Sequence, residues 1–237
     1  MAPPTPSKPS DLDVRVISIG ALDLNPLWGE RVPTRSGHAT TTLIRSGDRT
    51  ILVDPGLPAP ALVARLNERS GLTPDKVTHV FLTSFHPHTR RALAAFPEAT
   101  WWISETERET VGVPLATALR DAMEADIDET ADALHKDVAL LQRCAAAPDE
   151  IAERVSLFPL PGVTAGMTGL IVADAQYTLV LTGDAIPTVE HLRQGQAPRQ
   201  SHDIERAQAS LLEAVEIADL LILGRDNLVI NPVKRPF

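Results

Sequence analysis

The chain has 237 residues, 43% of them hydrophobic and 22% charged, with a net charge of −9. That length suits one large domain or two small ones, and the acidic balance disfavours nucleic acid and anionic membranes as partners. No window approaches the ~20 apolar residues of a membrane span, and a single cysteine, Cys144, excludes an intrachain disulfide, which fits a reducing, cytoplasmic setting.

Residues 1–12 are Pro-rich and polar, lack the apolar core of a signal peptide, and read as a disordered tail before a single domain over 13–237. "DVRVISIGALDL" alternates and is β-branched, a strand. "TTTLIR" and "TILV" (Thr40–Arg45 and Thr50–Val53) flank the turn at Ser46–Asp48 and predict a hairpin. "APALVARLNERSG" has helical apolar spacing and stops at Gly71, a natural C-cap. "THVFLT" predicts a strand, "TRRALAAF" a helix and "ATWWIS" a strand. A helical insert follows over about 105–147, with a break expected at Gly112–Pro114 and an apolar stripe at Leu134, Val138 and Leu141. "VSLFPLPG", "TGLIVAD" and "YTLVLTGD" are strands, "SHDIERAQASLLEAVEIA" is an amphipathic helix, and "DLLILGRD" is a closing strand. Two halves, each a small sheet followed by a helix, are best buried as two sheets packed face to face with helices outside.

Histidines occur mostly where a backbone-bonded, structural, capping or surface role explains them: His38, His79, His135 and His202. Cys144, in an apolar helical context, reads as a buried structural thiol. Arg90 and Arg91 read as surface charges. The exception is "TSFHPHT", where His86 and His88 stand in a strand-to-helix turn and suggest a metal.

Five stretches in order resemble the metallo-β-lactamase fold, an αββα sandwich: "LVDPG" (Leu52–Gly56), "LTSFHPHTRRALAAFP" (Leu82–Pro97), "PGVTAGMTG" (Pro161–Gly169), "LVLTGDA" (Leu179–Ala185) and "LILGRDNLV". The resemblance implies a two-metal hydrolytic centre, often zinc and sometimes iron or manganese, at one end of the sheets. Its His-x-His-x-Asp-His motif falls on Ser84, His86, His88 and Thr89. The next histidine falls on Val163, the bridging aspartate on Asp184, and the last histidine on Arg225. Of seven implied ligands only His86 and Asp184 are unchanged, and His88 can still bind metal; Ser84, Thr89, Val163 and Arg225 are poor or impossible zinc ligands. Asp54 matches the carboxylate that supports the metal loop from behind, and His191 can reach the cleft.

The expectation is a hydrolase-like protein with a degenerate site. At most one zinc or iron ion would sit on His86, His88 and Asp184, with His88 and Asp184 catalytic, and cleave an ester, lactone, thioester or phosphoester. The alternative is a non-catalytic protein of this fold that holds no metal and binds a small molecule or a protein partner in the altered cleft. Arg225 is expected to point inward at Asp184, supplying the positive charge that a buried carboxylate needs.

Overall fold

The structure is a computed structural model that describes residues 12–125 and 127–234; of the expected tail over 1–12, residues 1–11 lie outside them. A six-stranded sheet runs in the spatial order β1 (Asp13–Ser18), β2 (Thr41–Ser46), β3 (Arg49–Val53), β4 (His79–Leu82), β5 (Thr100–Ile103) and β6 (Ala145–Ala146). The first three strands are antiparallel and β3 to β6 are parallel. A second six-stranded sheet runs in reverse chain order, from β12 (Leu228–Ile230) through β11 (Leu220–Leu223), β10 (Thr178–Gly183), β9 (Thr168–Ala173) and β8 (Val155–Pro159) to β7 (Glu150–Ala152). Its pairs are antiparallel except β10 with β11.

Alternation along the strands gives each sheet two apolar faces, and each face has a partner. Ile44, Ile51, Val53, Phe81 and Trp102 of the first sheet meet Val155, Leu170, Val172, Leu181 and Ile222 of the second. The outer face of the first sheet, with Leu43, Leu52, Val80 and Trp101, is covered by Leu62 and Leu66 of α1 (Ala59–Ser70) and by Leu93 and Phe96. The outer face of the second, with Val180 and Leu221, is covered by Leu192 of α5 (Val189–Gln194) and by Leu211 and Ala214 of α6 (Ile204–Ile217). The result is the four-layer αββα sandwich expected from the strand pattern. α1 ends at Gly71, whose left-handed φ of 71° lets its N–H reach back to Asn67.

Three local expectations differ from what is observed. "TRRALAAF" is not one helix: α2 is a single turn (Pro87–Arg90), followed by a 3-10 turn at Leu93–Ala95. Its apolar residues serve the core rather than a helical stripe. The helical insert is not broken at Gly112–Pro114. α3 (Glu105–Glu124) runs through Pro114, and the chain turns later, before α4 (Asp128–Arg143). Pro114 and Thr110 are both exposed, so the one carbonyl the proline leaves unpaired meets water and the helix tolerates it. Arg90 is buried rather than a surface charge: it pairs with Asp137 of α4 at 2.8 Å and its guanidinium lies 4.3 Å over the Phe85 ring. Of the expected apolar stripe of the insert, Leu141 is buried in the outer core of the first sheet, and Leu134 and Val138 are half-buried.

Candidate functional site

The parallel strands set the site, because their carboxyl ends all open at one end of the sandwich. Asp54 follows β3, the Thr83–Thr89 turn follows β4, and Ser104 and α3 follow β5. Asp184 follows β10 and Arg225 lies just past β11. Backbone bonds tie the two sheets together here: Thr168 N–H donates to Thr83 O (3.0 Å) and Thr40 N–H to Gly224 O (2.8 Å). Gly224 is required by close approach, since a Cβ there would lie 2.3 Å from Gly183 O.

Asp184 and Arg225 stand at the ends of adjacent parallel strands, and the register of β10 and β11 brings them face to face. Arg225 Nε donates to Asp184 Oδ1 at 2.6 Å and Nη2 to Oδ2 at 2.5 Å, a bidentate fork. The Arg225 side chain is only 4% exposed and that of Asp184 16%. Burial works to raise the Asp184 pKa, but the Arg225 charge and its hydrogen bonds outweigh it and hold the carboxyl below the usual carboxylate range. Burial likewise works against the guanidinium charge, and Asp184 more than offsets it. Asp226 is engaged elsewhere, accepting from Val189 N–H and Asn227 N–H.

The turn after β4 is stapled from within. Thr89 Oγ1 donates to Ser84 O (2.7 Å) and His86 O (2.8 Å), so Thr89 and Ser84 fix the loop. The two imidazoles stack with centroids 4.9 Å apart. His86 Nδ1 accepts the His88 backbone N–H (3.3 Å), and Arg91 Nη2 lies 3.4 Å from His88 Nδ1. Partial burial, foremost, lowers both pKa values. Arg225 adds to it at both rings, while Asp184 opposes it. Among the described residues no three His, Cys, Asp or Glu side chains are placed to share an ion. The expected set of His86, His88 and Asp184 is therefore not assembled as a ligand group, and the physical reason is that Asp184 is turned to Arg225.

Asp54 lies behind the turn, 3% exposed, at a left-handed φ of 49°. Its carboxyl accepts from Thr83 N–H (2.9 Å) and Thr83 Oγ1 (2.7 Å), the supporting role expected for it. Burial pushes its pKa up to about 7 despite those bonds. Between pH ~4 and ~7 the unfolded chain has lost this proton and the folded chain has not, so stability falls as pH rises across that window and is level above it. The fall expected from this one group is on the order of 4 kcal/mol. Asp54→Asn keeps an acceptor for Thr83 N–H and cannot ionise. The difference in urea midpoint between pH 5 and pH 8 should therefore shift in favour of pH 8 relative to the parent. Equal pH profiles in the two proteins would show that Asp54 ionises normally.

Two remaining residues sit at the margins of the site. Val163 packs into the outer core of the second sheet. His191 is 5% exposed, lies 3.0 Å through Nδ1 from Thr188 Oγ1, and lines a cleft of about 440 Å³ together with Asp23, Pro187 and Arg199. The other expected histidine roles are structural: His38 bonds to backbone carbonyls of Ser36 and Ile19, and His79 stacks on Trp102. Burial raises the Cys144 thiol to about 11, so it is an inert core group.

Glu107 is the residue that reading the sequence missed. It is 1% exposed. Its Oε1 accepts from Phe85 N–H (3.0 Å), and its Oε2 accepts from Thr164 Oγ1 (2.6 Å) and Gly166 N–H (3.2 Å). One carboxyl thus joins the His86 turn to the Pro161–Gly166 loop. The Ser-x-x-Glu spacing at Ser104–Glu107 marks the helix start, where Ser104 Oγ accepts Glu107 N–H (3.1 Å), but only half of a capping box forms, because the carboxyl is taken by the two loops.

A family profile described as the metallo-beta-lactamase superfamily matches residues 35–224. Among solved structures, AidC, a dizinc quorum-quenching lactonase in complex with a product, superposes with a TM-score of 0.65 at 18% identity, covering 84% of this chain and 76% of that one. A variant of AiiA from B. thuringiensis, with N-decanoyl-L-homoserine bound at its active site, gives 0.63 at 20% identity over 91% and 92% of the two chains. The hydrolase AbOPH gives 0.62 at 16% identity over 96% and 93%. At these identities the likeness is one of fold. Comparison with curated proteins gave no match.

Proposed function

Because the chain belongs to the metallo-beta-lactamase superfamily, we propose that it is a metal-independent member, which keeps the scaffold and its loops and uses the altered cleft to bind a ligand. One observation carries this reading. The Arg225 guanidinium forks onto both oxygens of Asp184, so the carboxylate already has its cation and the guanidinium repels another. The histidines support it. A metal-bound imidazole ordinarily donates its second ring N–H to an acceptor, whereas Nδ1 of His86 and of His88 each faces a donor. The residues present do not fit an ion shared by His86, His88 and Asp184, and no hydrolytic step is derived through one.

The single-ion hydrolase reading requires Asp184 to leave Arg225 and the two histidines to exchange their ring hydrogens. Elemental mass spectrometry on protein purified without added metal separates the two. The expected result is less than a tenth of an equivalent of zinc, iron or manganese, unchanged in His86→Ala. Stoichiometric metal that disappears in His86→Ala would overturn the metal-independent reading. Arg225→His should not restore tight zinc binding, because Ser84, Thr89 and Val163 still supply no ligand.

A further inference from the structure

The cleft of about 440 Å³ lies between two segments distant in sequence, and its volume is within the ~300–1,000 Å³ typical of small-molecule pockets. One wall comes from the loop that joins β1 to β2, the other from the segment between Pro187 and Gln200. Both walls are fixed from behind. Ala21 and His38 exchange backbone hydrogen bonds (2.9 and 3.0 Å), and Thr34 N–H donates to Asp23 O (2.9 Å). Gln208 of α6 holds the other wall through both ends of its amide, at Gly195 O (2.8 Å) and Ala197 N–H (3.1 Å). A surface held in place in this way loses little freedom when a ligand arrives.

Asp23 and Arg199 line the cleft, one on each wall. Neither forms an ion pair among the described residues. Asp23 uses only Oδ1, which accepts Leu24 N–H at 2.8 Å, and Arg199 makes no hydrogen bond there. Asp23 acts on Arg225 and His88 only at longer range. A third polar group, His191, is buried at 5% exposure; its Nδ1 meets Thr188 Oγ1 at 3.0 Å, and its Nε2 has no partner among the described residues. Burial, foremost, lowers its pKa, so the ring carries no charge at neutral pH. Gln200 adds an uncharged amide, and Leu22, Leu24 and four prolines make the rest of the lining apolar.

One carboxylate and one guanidinium leave this lining neutral, so it favours neither a plain anion nor a plain cation. Together they complement a molecule charged at both ends. The unpaired nitrogen of His191 calls for a polar atom within the body of that molecule, because a buried polar group without a partner is costly. An apolar amino acid has no such atom apart from its charged ends; a dipeptide has its peptide group. Building on the ligand-binding reading, we propose that this cleft binds an apolar dipeptide, with its ammonium on Asp23, its carboxylate on Arg199, a peptide-group atom on His191 Nε2 and its side chains against the leucines and prolines.

Calorimetric titration of the whole chain in EDTA tests this, with leucyl-leucine, N-acetyl-leucyl-leucine, leucyl-leucine amide, glycyl-glycine and leucine as probes. Leucyl-leucine should bind at least about fivefold more tightly than each of the others, which lack in turn the ammonium, the carboxylate, the apolar body and the peptide group. Asp23→Asn keeps an acceptor for Leu24 N–H and should abolish only the preference over the N-acetyl form. Arg199→Gln, at an exposed side chain, should abolish only the preference over the amide. A merely structural role for either residue would not move one selectivity and spare the other. Leucyl-leucine that binds no more tightly than leucine or its blocked forms, or not at all, overturns the proposal and leaves the metal-independent reading standing. So do variants that keep both preferences. Binding seen only when zinc replaces EDTA overturns both.

Discussion

Arg225→Met is expected to destabilise the protein by about 3–5 kcal/mol at pH 7, measured by urea unfolding. Removing one partner of a buried pair leaves the other uncompensated, and that penalty is large compared with the net worth of the pair itself. The fork is buried on its arginine side and largely buried on its aspartate side, so solvent cannot replace it. Two further results should accompany the loss. The double variant Arg225→Met/Asp184→Leu should recover most of it, because no charge is then stranded. The loss should also shrink toward acid pH. In the parent, Arg225 holds the Asp184 pKa low, so the pair contributes fully above the ordinary carboxylate range and is lost only as pH falls through that depressed value. In Arg225→Met, burial alone acts on Asp184 and raises its pKa, so the stranded carboxyl takes up a proton at higher pH and the deficit narrows. A single variant within 1 kcal/mol of the parent at pH 7 would show that Asp184 does not depend on Arg225.

Glu107→Ala should cost about 4 kcal/mol or more. Three donors, Phe85 N–H, Thr164 Oγ1 and Gly166 N–H, converge on this carboxyl. Hydrogen bonds to a charged group are worth roughly 1.5–3 kcal/mol each, and buried donors left unpaired are penalised further. Glu107→Gln keeps one carbonyl oxygen but places an NH2 where Oε2 accepts, so its cost should fall near half. Hydrogen exchange supplies the specific signature: the amides of Phe85 and Gly166, far apart in sequence, should lose protection together in Glu107→Ala. Independent behaviour of the two amides would mean that Glu107 does not couple the loops.

The sandwich was legible because its signals are local. Alternation marks β1, short apolar runs bounded by turn residues mark β2, β3 and β8 to β10, Gly71 marks the end of α1, and the turn residues at Ser46–Asp48 mark the first hairpin. The inward Arg225 followed from the resemblance, which puts Asp184 on the floor of the site and Arg225 at a ligand position, together with charge logic: a buried carboxylate needs a cation. What escaped notice depends on contacts between distant segments. Nothing near Glu107 in sequence says that its carboxyl reaches Phe85, 22 residues back, and Gly166, 59 residues on. Arg90 looked like one of two adjacent surface charges until Asp137 of α4 came to meet it. Pro114 suggested a helix break, but exposure of the freed carbonyl removed the penalty that would have forced one. The site residues His86 and His88 were conspicuous by type, yet the partners of their ring nitrogens, the His88 amide and Arg91, are aligned only by the folded turn.

The Arg225 guanidinium is joined to Asp184 through the chain as well as through space. A dissociable ion stabilises its site only in proportion to the logarithm of its free concentration. A counter-charge carried on the same polypeptide has no such dependence. Its occupancy is set when the chain folds and does not change with chelators, dilution or the supply of trace elements. The electrostatics of this cleft should accordingly be the same in zinc-starved and zinc-replete solution.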